Sequence, residues 1–111
     1  VNNVENCPLE SEGPVIENHS LFKNRTNVEF IEIISREEVN MRVWERGTGE
    51  TLACGSGACA VGAALIKSNF TERIIKVNLK GGQLTIEWRD SDNCIYMTGP
   101  ATFVFDGVWQ L

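Results

Sequence analysis

Two neighbouring stretches of the chain place their apolar residues as strands do. Val28-Glu29-Phe30-Ile31-Glu32-Ile33-Ile34 is rich in β-branched and aromatic side chains and runs into a charged turn, Arg36-Glu37-Glu38. From Val39 to Arg46 the alternation is strict. Val39, Met41, Val43 and Glu45 share one face, and Asn40, Arg42, Trp44 and Arg46 share the other. The two runs predict an antiparallel pair. A second pair follows. Ile75, Val77 and Leu79 alternate with Lys76 and Asn78, then Leu84, Ile86 and Trp88 alternate with Gln83, Thr85, Glu87 and Arg89. Gly81-Gly82 between them is a hairpin signal. Asp90-Ser91-Asp92-Asn93 makes a polar turn, and Ile95–Thr98 and Ala101–Phe105 read as further strands separated by Gly99-Pro100.

Between the halves the period changes. A helix is predicted from Gly55 or Ser56 to about Lys67-Ser68, through Gly57, Ala58, Cys59, Ala60, Val61, Gly62, Ala63, Ala64, Leu65 and Ile66. Small or apolar residues occur all round it, and a helix without a polar face is expected to be buried. Near the start, Cys7 to Pro14 reads as turn-rich, with a helical turn or two at Val15–His19 ending near Ser20. The fold class expected is α+β: a mixed or antiparallel sheet curled into a barrel-like layer around one central buried helix.

Length and composition limit the rest. A chain of 111 residues makes one domain, read here as residues 1–111, and should bury roughly two-thirds of its extended surface. Hydrophobic residues are 42% and charged residues 23%, away from the disordered range. Fifteen acids against ten bases give a net charge of −5. No basic cluster offers a footprint for nucleic acid. The nearly apolar run Ala58–Ile66 is short of a membrane span, and the residues from Val1 do not read as a basic-then-apolar leader, so a cytoplasmic location is expected. The four cysteines are Cys7, Cys54, Cys59 and Cys94, and the one histidine is His19. They contain no C-x-x-C pair, so free thiols are expected and no metal site.

The stretch Glu45 to Ala58 joins a strand to the buried helix and holds four glycines, at 47, 49, 55 and 57. The first turn of a helix has N–H groups without partners and the positive end of the macrodipole. Gly55 and Ser56 leave such donors open to an anion such as a carboxylate. Cys54 stands immediately before them. A thiol in such a place can have its pKa lowered from about 8.5 into the range of about 3.5–7.5, which suits a cysteine acting as base or nucleophile. This requires the sulfur to stay out of the packed interior and the following amides to be free. A tight turn and nothing more is the plain alternative. A P-loop is disfavoured because Gly-Lys-Ser/Thr is absent. His19, between Asn18 and Ser20, reads as a surface residue rather than a base. Cys59 lies about 7.5 Å along the axis from Cys54 and about 140° round it, so it reads as a small core residue.

Glu45-Arg46-Gly47-Thr48-Gly49-Glu50-Thr51-Leu52-Ala53-Cys54-Gly55-Ser56-Gly57-Ala58-Cys59-Ala60 resembles the second active-site motif of the diaminopimelate epimerases. Glu17-Asn18-His19 to Phe22, Asn24 to Phe30 and Met97-Thr98-Gly99-Pro100-Ala101 are similar to that family too. The resemblance runs from about Cys7 to Phe105. The Glu-Arg-Gly-x-Gly-Glu-Thr stretch favours it over the related proline racemases and phenazine-pathway isomerases. The resemblance implies a cofactor-independent isomerase of lysine biosynthesis that converts LL- to meso-diaminopimelate. In it two cysteines face opposite sides of the α-carbon, one taking the proton and the other returning it.

By the match Cys54 is one of the two cysteines, and Gly55 and Ser56 hold the substrate carboxylate. Glu45 takes the amino group or tunes the thiol, and Arg46 and Asn27 bind polar groups of the substrate. Glu45 and Arg46 can share a pocket only if the strand ends there. The family's enzymes are longer, with two similar halves and the site between them. This chain resembles the second half, so the implied partners are diaminopimelate, an N-terminal half-domain bearing the other cysteine and, for the intact enzyme, a second copy. Alone the chain is expected to be inactive. Two other readings remain: a non-catalytic module that holds a carboxylate at the same turn, and a thiol-redox protein using Cys54.

Overall fold

In the computed structural model, which describes residues 1–111, the chain forms α1 (Leu9–Glu17), β1 (Val28–Ser35), β2 (Glu38–Glu45), β3 (Gly49–Thr51), α2 (Gly55–Lys67), β4 (Ile74–Leu79), β5 (Gly82–Trp88) and β6 (Ile95–Thr98). The alternation in β2 decides what lies on each side of the sheet. Val39, Met41 and Val43 are buried, and they join Cys54, Ala58, Val61 and Leu65 of the helix segment with Ile75, Val77 and Ile86 of β4 and β5 in one apolar core. A side chain as fully buried as Ile86 contributes about 1.5–3 kcal/mol. On the opposite face α1 covers the sheet, with Leu9 only 1% exposed.

The strands run in the order β1-β2-β4-β5-β6. Both predicted antiparallel pairs are present, β1 with β2 and β4 with β5. The connection through α2 returns the chain parallel to the first half of β2, where Glu38–Asn40 pair with Lys76–Asn78. The last three residues of β2 pair instead with β3, Glu45 opposite Gly49. β3 was not expected from the sequence, which reads there as a loop.

Several expectations are corrected. The sheet does not close around α2. A path of five strands is about 20 Å wide, less than the perimeter of about 30 Å of a helical rod about 10 Å thick. The helix lies on one face, and its Ser56, Ala60, Ala64 and Lys67 stripe is exposed. The turn-rich reading of Cys7–Pro14 gives way to α1, which contains Pro14. Packing outweighs propensity there: Leu9 and Gly13 are buried, and a Cβ on Gly13 would stand 2.7 Å from Trp44 Cγ. The tight turn of the second hairpin is Lys80-Gly81, since Gly82 already pairs with Leu79. Ala101–Phe105 is not a strand. It is fully exposed, with Phe103 at 77%, because no neighbouring strand offers it a ladder. No helix is long and apolar enough to cross a membrane.

Candidate functional site

The site forms where the end of β2, the start of β1 and the N-terminus of α2 meet. β2 stops at Glu45, and Arg46-Gly47-Thr48 make the turn into β3. Gly47 takes φ +77°, a left-handed conformation that favours glycine. After β3, Gly81 N–H donates to Leu52 O at 2.7 Å, tying the run toward Cys54 to the second hairpin.

Cys54 is the N-cap of α2, in extended conformation. Its sulfur accepts the Gly57 N–H at 3.4 Å. Asn27 Nδ2 donates to the same sulfur at 3.8 Å, and Ser56 Oγ lies 3.6 Å away. The residue is 8% exposed and belongs to the edge of the apolar core cluster. The expectation of an open sulfur with uncapped amides is therefore corrected: the sulfur is nearly covered and itself caps Gly57. The amides of Gly55 and Ser56, in the first turn, have no intrahelical acceptor.

Asn27 links two of the other predicted residues, Cys54 and Arg46. Its Nδ2 faces Cys54, while its Oδ1 accepts the Arg46 N–H at 2.8 Å. The Arg46 guanidinium turns away, donating to Asn24 O at 3.1 Å. Glu45 stays on the α2 side of the sheet, where its Oε1 accepts Thr51 Oγ1–H at 2.6 Å. The strand does end at Glu45, but the two side chains are held by different partners.

A cavity of about 270 Å³ lies against this cluster, lined by Thr26, Asn27, Glu29, Ser56, Gly57 and Ala60. Glu29, inside the Asn24 to Phe30 motif, faces the helix terminus. The point that a Cβ on Gly57 would occupy is 2.7 Å from Glu29 Oε1 and 3.2 Å from Cys54 Sγ. Burial holds the Glu29 carboxyl above its ordinary range, and the Glu45 charge pushes the same way. The signal was available: in the run from Val28 to Ile34, Glu29 occupies the face of Ile31 and Ile33, an acid where the pattern asks for an apolar residue.

A second carboxylate supports the site from behind. Glu17, at the end of α1, is 5% exposed. Its Oε2 accepts Trp44 Nε1–H at 2.8 Å, and its Oε1 accepts Gly47 N–H at 2.8 Å and Arg25 Nη1 at 3.1 Å. The Trp44 indole first, then the Gly47 amide, hold the Glu17 carboxyl below its ordinary range. The remaining thiols lie elsewhere. Cys7 is near Arg42 on the far face, Cys59 packs against the core with its thiol pushed up by burial, and Cys94 donates to Asp92 O. His19 is exposed and accepts from Leu21 N–H.

The family model described as diaminopimelate epimerase matches residues 1–104. The diaminopimelate epimerase of Methanococcus maripaludis (strain C6) is 59% identical over 107 residues, which are 96% of this chain and 39% of that protein. The diaminopimelate epimerase of Moorella thermoacetica is 52% identical over 111 residues, 100% of this chain and 40% of that protein. The chain thus spans about two-fifths of the length of these curated relatives. Among solved structures, a phenazine biosynthesis protein of the PhzF family from Bacillus anthracis superposes with a TM-score of 0.61. It is 18% identical and covers 87% of this chain and 32% of that one, a likeness of fold.

Proposed function

Since the chain belongs to the diaminopimelate epimerase family, we propose that it supplies one side of an amino-acid epimerisation site, with Cys54 exchanging a proton at the substrate α-carbon. The observation that carries this reading is a cavity lined by Asn27, Ser56 and Gly57, the three residues that contact the Cys54 sulfur at the N-cap of α2. An amino-acid carboxylate placed on the Gly55 and Ser56 amides sits at the positive end of the helix. Its α-carbon then lies next to Cys54. In one direction the Cys54 thiolate takes the α-proton. The C–H bond breaks, an S–H bond forms, and the electron pair passes into the carboxylate system, where the amides stabilise it. A second thiol on the opposite face protonates the carbon, and inversion results. In reverse the two sulfurs exchange roles, as a matched acid/base pair can.

Asn27 holds the Cys54 sulfur and the Arg46 backbone in one frame, and Glu45, beside Glu29, provides negative charge for the substrate ammonium. Arg46 and Asn27 are assigned to polar groups of the substrate. Cys7, Cys59 and Cys94 stand away from the cavity, so the opposing thiol belongs to a complementary half-domain, and the 111-residue chain is inactive by itself. The intact enzyme is assigned as a homodimer acting on diaminopimelate.

Titration of the ¹⁵N-labelled chain with meso-diaminopimelate tests the binding half of this reading. The Gly55 and Ser56 amides and the Asn27 side-chain amide should shift together and saturate. Shifts absent from these three groups, or turnover of LL-diaminopimelate by the isolated chain, would contradict it.

A further inference from the structure

We infer that Glu17 is a positioning residue: its buried carboxylate locks the two loops carrying Asn27 and Glu45-Arg46 into the arrangement that meets Cys54. This rests on the epimerisation reading for its purpose, though not for its geometry. A carboxylate as buried as Glu17 carries a desolvation cost unless it is fully hydrogen-bonded. Here three donors come from separate segments. Trp44 Nε1 belongs to β2, Gly47 N–H to the turn that follows Arg46, and Arg25 Nη1 to the loop that leads into Asn27.

The two loops are therefore bound to one oxygen, Oε1, while Oε2 anchors the carboxylate to Trp44 of β2. Arg25 is two residues before Asn27 and takes φ +60°, a conformation uncommon for a residue with a side chain. Gly47 is one residue past Arg46. The Arg46 N–H to Asn27 Oδ1 bond at 2.8 Å then spans the gap between the loops, and Asn27 Nδ2 reaches the Cys54 sulfur. Release of the Glu17 clamp frees both ends of that bridge. The apolar core of β2, β4, β5 and α2 lies on the other face of the sheet and has no part in the clamp. Charge matters as well as shape. Glutamine at position 17 keeps one acceptor oxygen, but it loses the second and the charge that faces the Arg25 guanidinium.

The test compares the 111-residue chain with its Glu17→Gln variant by ¹⁵N spectroscopy and amide hydrogen exchange. The Trp44 indole and Gly47 amide signals should move, reporting loss of the clamp. Exchange at Arg46 should rise about tenfold or more, while exchange at Val77 and Ile86 stays within about twofold, a local and not a global opening. If Arg46 exchange is unchanged, or if Val77 and Ile86 accelerate equally, the positioning role is overturned. Should Glu17→Gln not fold, Arg25→Ala removes one exposed donor only. It should raise Arg46 exchange by a smaller factor of about threefold, and no rise overturns the proposal. The wild-type diaminopimelate titration is the separate arm. Its failure strikes the epimerisation reading, whereas unchanged Arg46 exchange strikes the clamp.

Discussion

Replacing Glu50 by glutamine tests what holds the β2–β3 hairpin. Glu50, on β3, pairs both oxygens with Arg42 of β2: Nε to Oε1 at 2.7 Å and Nη2 to Oε2 at 3.0 Å. Lys80 Nζ adds a contact at 2.8 Å. The Arg42 hydrogen bonds first, then Lys80, bring the Glu50 carboxyl down to about 2 from an ordinary 4.5. At neutral pH that difference corresponds to at most about 3.4 kcal/mol. The side chains are 22% and 12% exposed, so solvent screening and the cost of desolvation reduce it to about 1–2 kcal/mol. The sign follows from a depressed carboxyl. The stabilisation is whole above 4.5 and is lost as pH falls toward 2, with roughly two-fifths left at pH 3. Urea unfolding of the parent and Glu50→Gln at pH 7 and pH 3 measures it. The gap between them should be about 1–2 kcal/mol at pH 7 and less than half of that at pH 3. A gap that is absent at pH 7, or as large at pH 3, would refute the reasoning.

Two further outcomes follow from the packing of α2. Gly62→Ala improves helix propensity by about 1 kcal/mol, but its Cβ would lie 2.5 Å from Cγ2 of the fully buried Ile86. Overpacking prevails, and the urea midpoint should fall by the equivalent of about 1–2 kcal/mol; a stabilised variant would contradict the close approach of α2 to β5. Glu29→Gln should show the reverse pH dependence of Glu50→Gln. A carboxyl raised by burial and by Glu45 costs nothing below its ordinary 4.5 and disfavours the fold increasingly as pH rises through its raised value. The variant should match the parent at pH 4 and exceed it in unfolding midpoint at pH 8; equality at both would show that Glu29 faces water.

Much of this architecture was legible because alternation and burial coincide. Val39, Met41 and Val43 are on the buried face as the period of two requires, and the helix spans Gly55–Lys67 as its small-residue run indicated. What was not legible depends on contacts distant in sequence. α1 forms across Pro14 because Leu9 and Gly13 pack on the sheet, which no local propensity reports. The sheet stays open, and Phe103 and Phe105 stay exposed, because strand partnership is not written into a strand's own residues. At the site, the Gly-rich stretch marked Cys54, and the resemblance marked Asn27, Glu45 and Arg46. The supporting role of Glu17 became visible only through its donors, whereas Glu29 stands out in the sequence as an acid on the face of Ile31 and Ile33.

The most direct measurement of the central claim compares alkylation of Cys54 by iodoacetate and by iodoacetamide, read at each cysteine by peptide mass analysis. The two reagents carry the same leaving group, and only iodoacetate presents a carboxylate. If the Gly55 and Ser56 amides form an anion site beside the sulfur, iodoacetate should be favoured at Cys54 several-fold more than at the exposed Cys94, despite the net charge of −5. Equal preference at the two cysteines, or a Cys54 that neither reagent reaches while Cys94 is consumed, would contradict the account.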